Sequence, residues 1–243
     1  MRQHNREMLI EQLLPIAKAA GDAIMLVYLG GTAEFQHKED SSPVTAADLA
    51  AHRVLARQLT PLLAECPVAS EEDSTSQACR QNKGRFWLID PLDGTKEFIA
   101  RNGEFTVNIA LIEDGRSVLG VVYAPAIDAL YWGGAGLGAS FRCIGGQTAA
   151  IKVAASNLGK ASRVVASKSH LNEATRSLID RLGEVSLVQA GSSLKFCRVA
   201  EGEADIYPRL APTCEWDTAA AQAVLEGASG VVVDLQGAPL GSV

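Results

Sequence analysis

The order of apolar segments predicts a layered α/β (α+β) protein, and three observations carry that prediction. A helical pair opens the chain, an antiparallel meander occupies the middle, and strands alternate with helices beyond residue 155. At 243 residues the chain is long enough to bury a large core, as one domain or two closely packed subdomains. The change of pattern near residue 155 divides it into 1–155 and 156–243, with an α/β layer packed beside a more antiparallel sheet.

The elements follow in order. Leu9, Leu13, Ile16, Ala20, Ile24 and Val27 recur at helical spacing, so 8–29 is expected to be a helix. Pro15 should either kink it or mark its first turn. Thr45-Ala46-Ala47-Asp48 reads as a capping box, with Asp where Glu is usual, opening a second helix that runs to about residue 63. Strands are expected at 68–70, 86–89, 105–112, 117–123 and 129–132, with Glu113-Asp114-Gly115-Arg116 as a hairpin turn. The glycines of 133–138 fit neither a dinucleotide nor a P-loop fingerprint and read as a turn. Strands at 163–166, 185–189, 204–207 and 230–234 should alternate with helices at 170–182, 193–200 and 217–228.

Composition narrows the function. Hydrophobic residues at 47% and charged residues at 21% describe an ordinary globular protein. A net charge of −6 argues against nucleic acid as a broad surface partner, but not against a small phosphorylated ligand at a site with local cations. Five irregularly spaced cysteines, at 66, 79, 143, 197 and 214, read as reduced thiols rather than a disulfide framework or a zinc site. The amino terminus lacks an apolar signal core, and no run approaches 18 apolar residues. The expected location is therefore the cytoplasm, with peripheral association at the inner membrane left open and no integral segment.

The chemistry concentrates in Phe86-Trp87-Leu88-Ile89-Asp90-Pro91-Leu92-Asp93-Gly94-Thr95. An apolar strand delivers two carboxylates, three positions apart, onto a glycine turn that ends in a hydroxyl. Two carboxylates with a turn carbonyl between them form a hard-oxygen site that suits Mg²⁺. Amide groups at a helix start favour a phosphate. The same residues also make an ordinary turn. A spacing of three disfavours the haloacid-dehalogenase phosphatases, whose aspartates stand two apart. Ser70-Glu71-Glu72-Asp73 and Cys214-Glu215-Trp216-Asp217 add acids at a strand end and a helix start, where ligand sites gather in α/β proteins. Read singly, the first is a solvated acidic loop and Asp217 a helix cap, just as Asp48 is a partner of the Thr45 cap.

Together, Trp87 to Thr95, Ser70-Glu71-Glu72 and Trp216-Asp217-Thr218-Ala219-Ala220 resemble the inositol monophosphatase superfamily. Pro43-Val44-Thr45-Ala46-Ala47-Asp48, Lys96-Glu97-Phe98-Ile99 and Gly191-Ser192-Ser193-Leu194-Lys195-Phe196-Cys197 resemble its bacterial 3′(2′),5′-bisphosphate nucleotidase branch. The likeness extends from about residue 9 to residue 240. It implies the sugar-phosphatase fold with alternating αβαβα layers, and two or three Mg²⁺ ions held by Glu71, Asp90, the Leu92 carbonyl, Asp93 and Asp217. It further implies that Asp48 and Thr95 activate the attacking water, with Glu71 counted beside them among the catalytic residues.

Substrate contacts implied by the resemblance are Glu71, Leu92, Asp93, Gly94, Thr95, Ser167, His170, Gly191, Ser192, Lys195, Arg209 and Asp217, with Lys168 and Ser169 in the same run. The expected reaction is hydrolysis of the 3′-phosphate of adenosine 3′,5′-bisphosphate to AMP, with its sulfated precursor as a second substrate and Li⁺ as an inhibitor. Glu97-Phe98, where inositol monophosphatases carry Asn-Phe, favours the nucleotide over an inositol or sugar phosphate, which is the alternative. A catalytically inactive metal- or nucleotide-binding protein is an alternative of another class. Two departures motivate it: Ala221 in place of the family glycine, and an end at 237–243 where relatives continue, which would leave a sheet edge exposed. The partners expected are a small phosphorylated nucleotide and, at most, a second copy in a homodimer.

Overall fold

The computed structural model describes residues 3–30, 35–37, 43–76, 78, 84–155, 162–166 and 172–241. Helix α1 spans Gln3–Gly30 and α2 spans Ala46–Leu59, flanking the short antiparallel pair β1 (Phe35–His37) and β2 (Pro43–Thr45). The main sheet comprises β3 (Val68–Ser70), β4 (Arg85–Asp93), β5 (Thr106–Glu113), β6 (Arg116–Ala124), β7 (Ala129–Gly134), β8 (Ala139–Ile144) and β9 (Gln147–Ile151), in that spatial order. Only β3 and β4 run parallel, and the rest form a meander. The five-residue helix α3 (Thr95–Ile99) follows β4. Beyond the sheet come β10 (Ser162–Ala166), α4 (Glu173–Arg181), β11 (Val185–Gln189), α5 (Leu194–Ala200) and α6 (Glu215–Gly227), with β10 and β11 parallel.

The alternation of side chains along a strand gives the sheet two apolar faces. Val107, Ile109 and Leu111 of β5 face α1 and α2 with Leu13, Ile24, Leu55 and Leu59. Ala110 and Ile112 of the same strand face α5 and α6 with Ala220, Val224 and Cys197. The layers are thus α1/α2, the sheet, α5/α6 and β10/β11, with α4 connecting the last two strands. This is the alternating layered fold expected.

Helix α6 lies unusually close to the sheet. A Cβ on Gly120 would stand 2.0 Å from the Ala220 carbonyl oxygen, so β6 can only carry glycine there. The small buried row Ala219, Ala220, Ala221 and Ala223 permits the approach from the helix side, and Ala221 is one of that row. Ser117 Oγ donates to the Ala219 carbonyl at 2.7 Å and Ser140 Oγ to the Val224 carbonyl at 2.6 Å. These bonds fix α6, and with it Asp217 in its first turn, against the strands.

Several expectations need correction. Of the two places open to Pro15, the structure shows the one inside α1 and not the one at its first turn. Helix α2 stops at Leu59, four residues early, because Pro61 has no N–H and the Thr60 hydroxyl closes the end on the Ala56 carbonyl at 2.7 Å. Strand β4 continues through Asp93, with the β4–β5 register shifting between Asp90 and Asp93, where Pro91 cannot donate to the ladder. The 133–138 turn is shorter than read, since β7 runs through Gly134.

Strands β8 and β9 escaped the sequence reading. Their hairpin is turned by Gly145 and Gly146, both at positive φ, and β9 is almost wholly exposed, so its apolar pattern is faint. The expected strands at 204–207 and 230–234 are only single bridges, Val164 with Ile206 and Val233 with Pro239. Asp205 is instead engaged by Arg163, whose guanidinium reaches it at 2.6 Å. Val231 and Val233 are exposed. Among the described residues one helix, His4–Gly30, is long and apolar enough to cross a membrane by length and composition. Its Leu9, Leu13, Ile16, Ala17, Ala20 and Ile24 are nevertheless buried in the core.

Candidate metal and phosphate site

Parallel pairing of β3 with β4 sets Ser70 opposite Ile89, which places Glu71 at the strand end beside Asp90. The Glu71 amide donates to the Ile89 carbonyl at 3.2 Å. Below it, Ser70 Oγ accepts from the Glu72 amide at 3.2 Å and meets His52 Nδ1 at 2.8 Å, which stiffens the turn carrying the acids.

Asp90 is buried at the end of the straight part of β4 and accepts the Leu92 amide at 3.1 Å. Asp93 follows the register shift, and Asp217 enters from the first turn of α6. Carboxylate oxygens of Asp90, Asp93 and Asp217 lie within 4.8 Å of one another. Burial, followed by the neighbouring charges of Glu71, Asp93 and Asp217 and a hydrogen bond with Glu71, pushes the Asp90 carboxyl well above the ordinary carboxylate range. Burial and then Asp93 push Asp217 upward as well, against the opposing hydrogen bonds from Thr213 and Cys214. Crowding of this kind is relieved by protonation or by a cation, and an all-oxygen set suits a hard divalent ion.

Asp48 performs two tasks. Its Oδ2 accepts both the Thr45 amide at 2.7 Å and the Thr45 hydroxyl at 2.6 Å, completing the cap of α2. Its Oδ1 accepts the Thr95 hydroxyl at 3.2 Å, a bond that joins α2 to α3. The Leu92 carbonyl is 3.4 Å from the same hydroxyl. Gly94 precedes α3 at φ 90°, a conformation natural to glycine, and lets the chain turn from strand to helix without a side chain over the site. Asp217 is likewise a cap: its Oδ2 accepts Thr213 Oγ1 at 2.8 Å and the Cys214 amide at 3.1 Å. For both aspartates the capping reading is borne out.

The loop before α5 joins the two sides. Ser192 Oγ and Ser193 Oγ donate to Asp93 Oδ2 at 2.6 and 2.9 Å. A cleft of about 390 Å³ opens beside Asp93 and Gly94, walled by Lys96, Glu97, Lys195, Tyr207, Arg209 and Thr175. Lys195 is buried, and that burial lowers its pKa although Asp93 and Glu97 pull the other way. Its Nζ lies 5.7 Å from the Tyr207 ring centroid, and Phe196 meets the same ring edge-on at 5.1 Å. Arg209 is exposed at the rim, where it donates to the Pro212 carbonyl at 3.3 Å.

Asp48, Glu71, Asp90, Leu92, Asp93, Gly94, Thr95, Ser192, Lys195, Arg209 and Asp217 therefore converge on one region, with Gly191 buried immediately before the serines. Ser167, Lys168, Ser169 and His170 lie outside the described residues. Sequence reasoning missed Thr213 and Tyr207. It also missed Thr106 and Asn108, whose signal was present as two polar residues at alternate positions of an apolar strand.

Comparison with known proteins bears on the family and the fold. The inositol monophosphatase family matches residues 5–241. The chain belongs to that family. It is 49% identical over 233 residues to the 3′(2′),5′-bisphosphate nucleotidase CysQ of Salmonella typhimurium, covering 96% of this chain and 93% of the relative. The Escherichia coli K12 protein of the same name is 48% identical over the same length and coverage. Among solved structures, CysQ from Bacteroides thetaiotaomicron superimposes with a TM-score of 0.81 at 37% identity, covering 98% of this chain and 92% of that one. The SuhB protein of Bartonella henselae, at 23% identity and a TM-score of 0.76, shares the fold.

Proposed function

We propose that the protein is a divalent-cation-dependent 3′(2′),5′-bisphosphate nucleotidase that hydrolyses the 3′-phosphate of adenosine 3′,5′-bisphosphate to AMP and phosphate. The observation that carries this reading is the meeting of Asp90, Asp93 and Asp217 beside the Asp48–Thr95 pair, at the mouth of a cleft walled by Lys195 and Arg209. The near full-length identity to relatives named for this activity supports it.

Glu71, Asp90, the Leu92 carbonyl, Asp93 and Asp217 would hold Mg²⁺, two or three ions in all. Bound there, the metal would polarise the phosphoryl oxygens and lower the pKa of water. The chain's own residues supply position and proton transfer. Thr95 Oγ1 takes a proton from the attacking water and passes its own to Asp48 Oδ1, since a threonine hydroxyl is too weak a base unaided. Thr45 anchors the other Asp48 oxygen, so the carboxylate presents a fixed face to Thr95. Gly94 and Thr95 contact the scissile phosphate. The second phosphate sits in the cleft, where Lys195 is already desolvated and aimed inward, and Arg209 closes the rim.

On this reading residues 1–155 bring most of the metal ligands, and 156–243 bring Asp217 and the nucleotide contacts. Ser167 and His170 are further nucleotide contacts that the family resemblance implies. The sulfated nucleotide is a second substrate, Li⁺ an inhibitor, and the cytoplasm the place of action, consistent with the absence of a disulfide among the described cysteines Cys66, Cys143, Cys197 and Cys214. Phosphate release from adenosine 3′,5′-bisphosphate and from inositol 1-phosphate, each with and without Mg²⁺, tests the proposal. Equal or faster turnover of the inositol ester would replace it with the sugar-phosphatase reading. Binding of the nucleotide with no phosphate release would indicate a binding protein.

A further inference from the structure

Strand β5 carries two polar residues on the face that meets α5 and α6. Thr106 and Asn108 are 0% and 1% exposed, in a strand otherwise built of Val107, Ile109, Ala110, Leu111 and Ile112. Polar groups buried so deeply are costly unless every one is bonded. Their register is informative: Asn108 pairs with Asp90 and Thr106 with Asp93, the two carboxylates of β4. Neither polar residue bonds to its partner's carboxylate directly. Each instead reaches a serine of the loop before α5, and both serines return to Asp93.

Proton counting gives the chains a direction. A hydroxyl has one proton, and an ionised carboxylate only accepts. Ser192 spends its proton on Asp93 Oδ2 at 2.6 Å, so the 2.6 Å contact between Ser192 and Thr106 needs the Thr106 proton. The longer 3.1 Å contact from Thr106 to Asn108 Oδ1 is the competing use of that proton. The Asn108 amide donates to Ser193 Oγ at 2.8 Å, leaving the Ser193 proton to point at Asp93 Oδ2 at 2.9 Å or the Asp217 carbonyl at 3.0 Å. Both chains thus reach Asp93 Oδ2, and among the described residues no hydrogen bond engages its other oxygen. Ser192 holds a left-handed backbone, φ 50°, which is unusual without glycine and persists only where surroundings impose it.

We propose that Thr106 and Asn108 are positioning residues that, through Ser192 and Ser193, orient the Asp93 carboxylate so that one oxygen is committed to the protein and the other is presented to the divalent cation. The inference rests on the metal-dependent reading of the site above. It makes β5 the outer support of a ligand that β4 supplies, and it binds the loop before α5 to the metal centre. Partners of this kind typically govern metal affinity by about ten- to a hundredfold.

The test is calorimetric Mn²⁺ binding to Thr106→Val, Asn108→Ala and Thr106→Ser, with Tyr123→Phe as a control. Tyr123→Phe removes a hydroxyl bond from β6 to Asp128 that leads to neither α6 nor Asp93. Expected are an approximately ten- to hundredfold loss of Mn²⁺ affinity in Thr106→Val and Asn108→Ala, recovery in Thr106→Ser, and native affinity in Tyr123→Phe. Variants that melt lower yet bind Mn²⁺ with native affinity would overturn the proposal and leave the pair a purely structural role. A loss no greater than that of Tyr123→Phe would do the same. Nucleotide turnover by the unaltered protein is scored separately. Its absence would sink the substrate reading while the affinity comparison still decides the role of the pair.

Discussion

Gly120→Ala should displace Asp217 by pushing on α6 at Ala220, three positions further along the helix, rather than by touching the site. The added methyl would sit 2.0 Å from the Ala220 carbonyl oxygen and 3.0 Å from Ala223 Cβ. A close carbon–oxygen contact is roughly 3.3 Å, so α6 must retreat by about 1.3 Å or β6 must bend. The colliding atoms are backbone, which no rotamer change can relieve. Overpacking of this kind costs about 1–3 kcal/mol, or a fall in melting temperature of roughly 2–12 °C for a chain this size. The larger effect is on Asp217, which rides the first turn of the same helix. Misplacement by about 1 Å can cost on the order of a hundredfold in rate. Thermal melts, nucleotide turnover and Mn²⁺ affinity on the purified variant measure all three. Gly30→Ala is the control, because its Cβ would meet nothing within 4 Å. A Gly120→Ala protein with native melting temperature and native turnover would refute the claim that the approach of α6 sets the position of Asp217.

The other expectations are simpler to measure. Thr95→Ala should lower kcat about 10²–10⁴-fold, and Thr95→Ser should retain most activity, because only the hydroxyl enters the proton path. Adding Mg²⁺ at about a hundred times its Kd should stabilise the folded protein by about 2.7 kcal/mol, seen as a rise of roughly 5–11 °C in melting temperature, and Asp93→Asn should abolish that rise. The lowered pKa of Lys195 means its charge is lost as pH rises, before the ordinary lysine value of 10.5 is reached. The KM for the bisphosphate should therefore climb in alkaline solution below that value while kcat is little changed. In Lys195→Met the KM should be high and free of that alkaline rise.

Much of this molecule could be read before folding it, for reasons that differ by element. The meander and the paired helices were legible because their apolar spacing is regular and their faces are buried. The β8–β9 hairpin was not, since Gln147–Ile151 is nearly all exposed and carries no burial pattern to read. Ile206 and Val233 look like strand residues locally, yet each finds only a single bridging partner, a tertiary outcome that local pattern cannot forecast. In the site, Asp90, Asp93 and Asp217 were visible because acids at strand ends and helix starts are conspicuous. Thr213, Tyr207 and the pair Thr106–Asn108 were hidden, because their meaning depends on which distant element packs against them.

The acids of the site also differ in what the fold gains from them. Asp48 and Asp217 complete the capping boxes at the amino ends of α2 and α6, a service worth about 0.3–1.5 kcal/mol each whether or not any phosphate is ever cleaved. Asp90 is the opposite case: buried and crowded by like charge, it burdens the metal-free protein. A descendant that had abandoned the chemistry would keep the two caps for folding alone and would have every reason to shed Asp90. The costly aspartate, more than the useful ones, is therefore the position to inspect when deciding whether a protein of this fold still works as an enzyme.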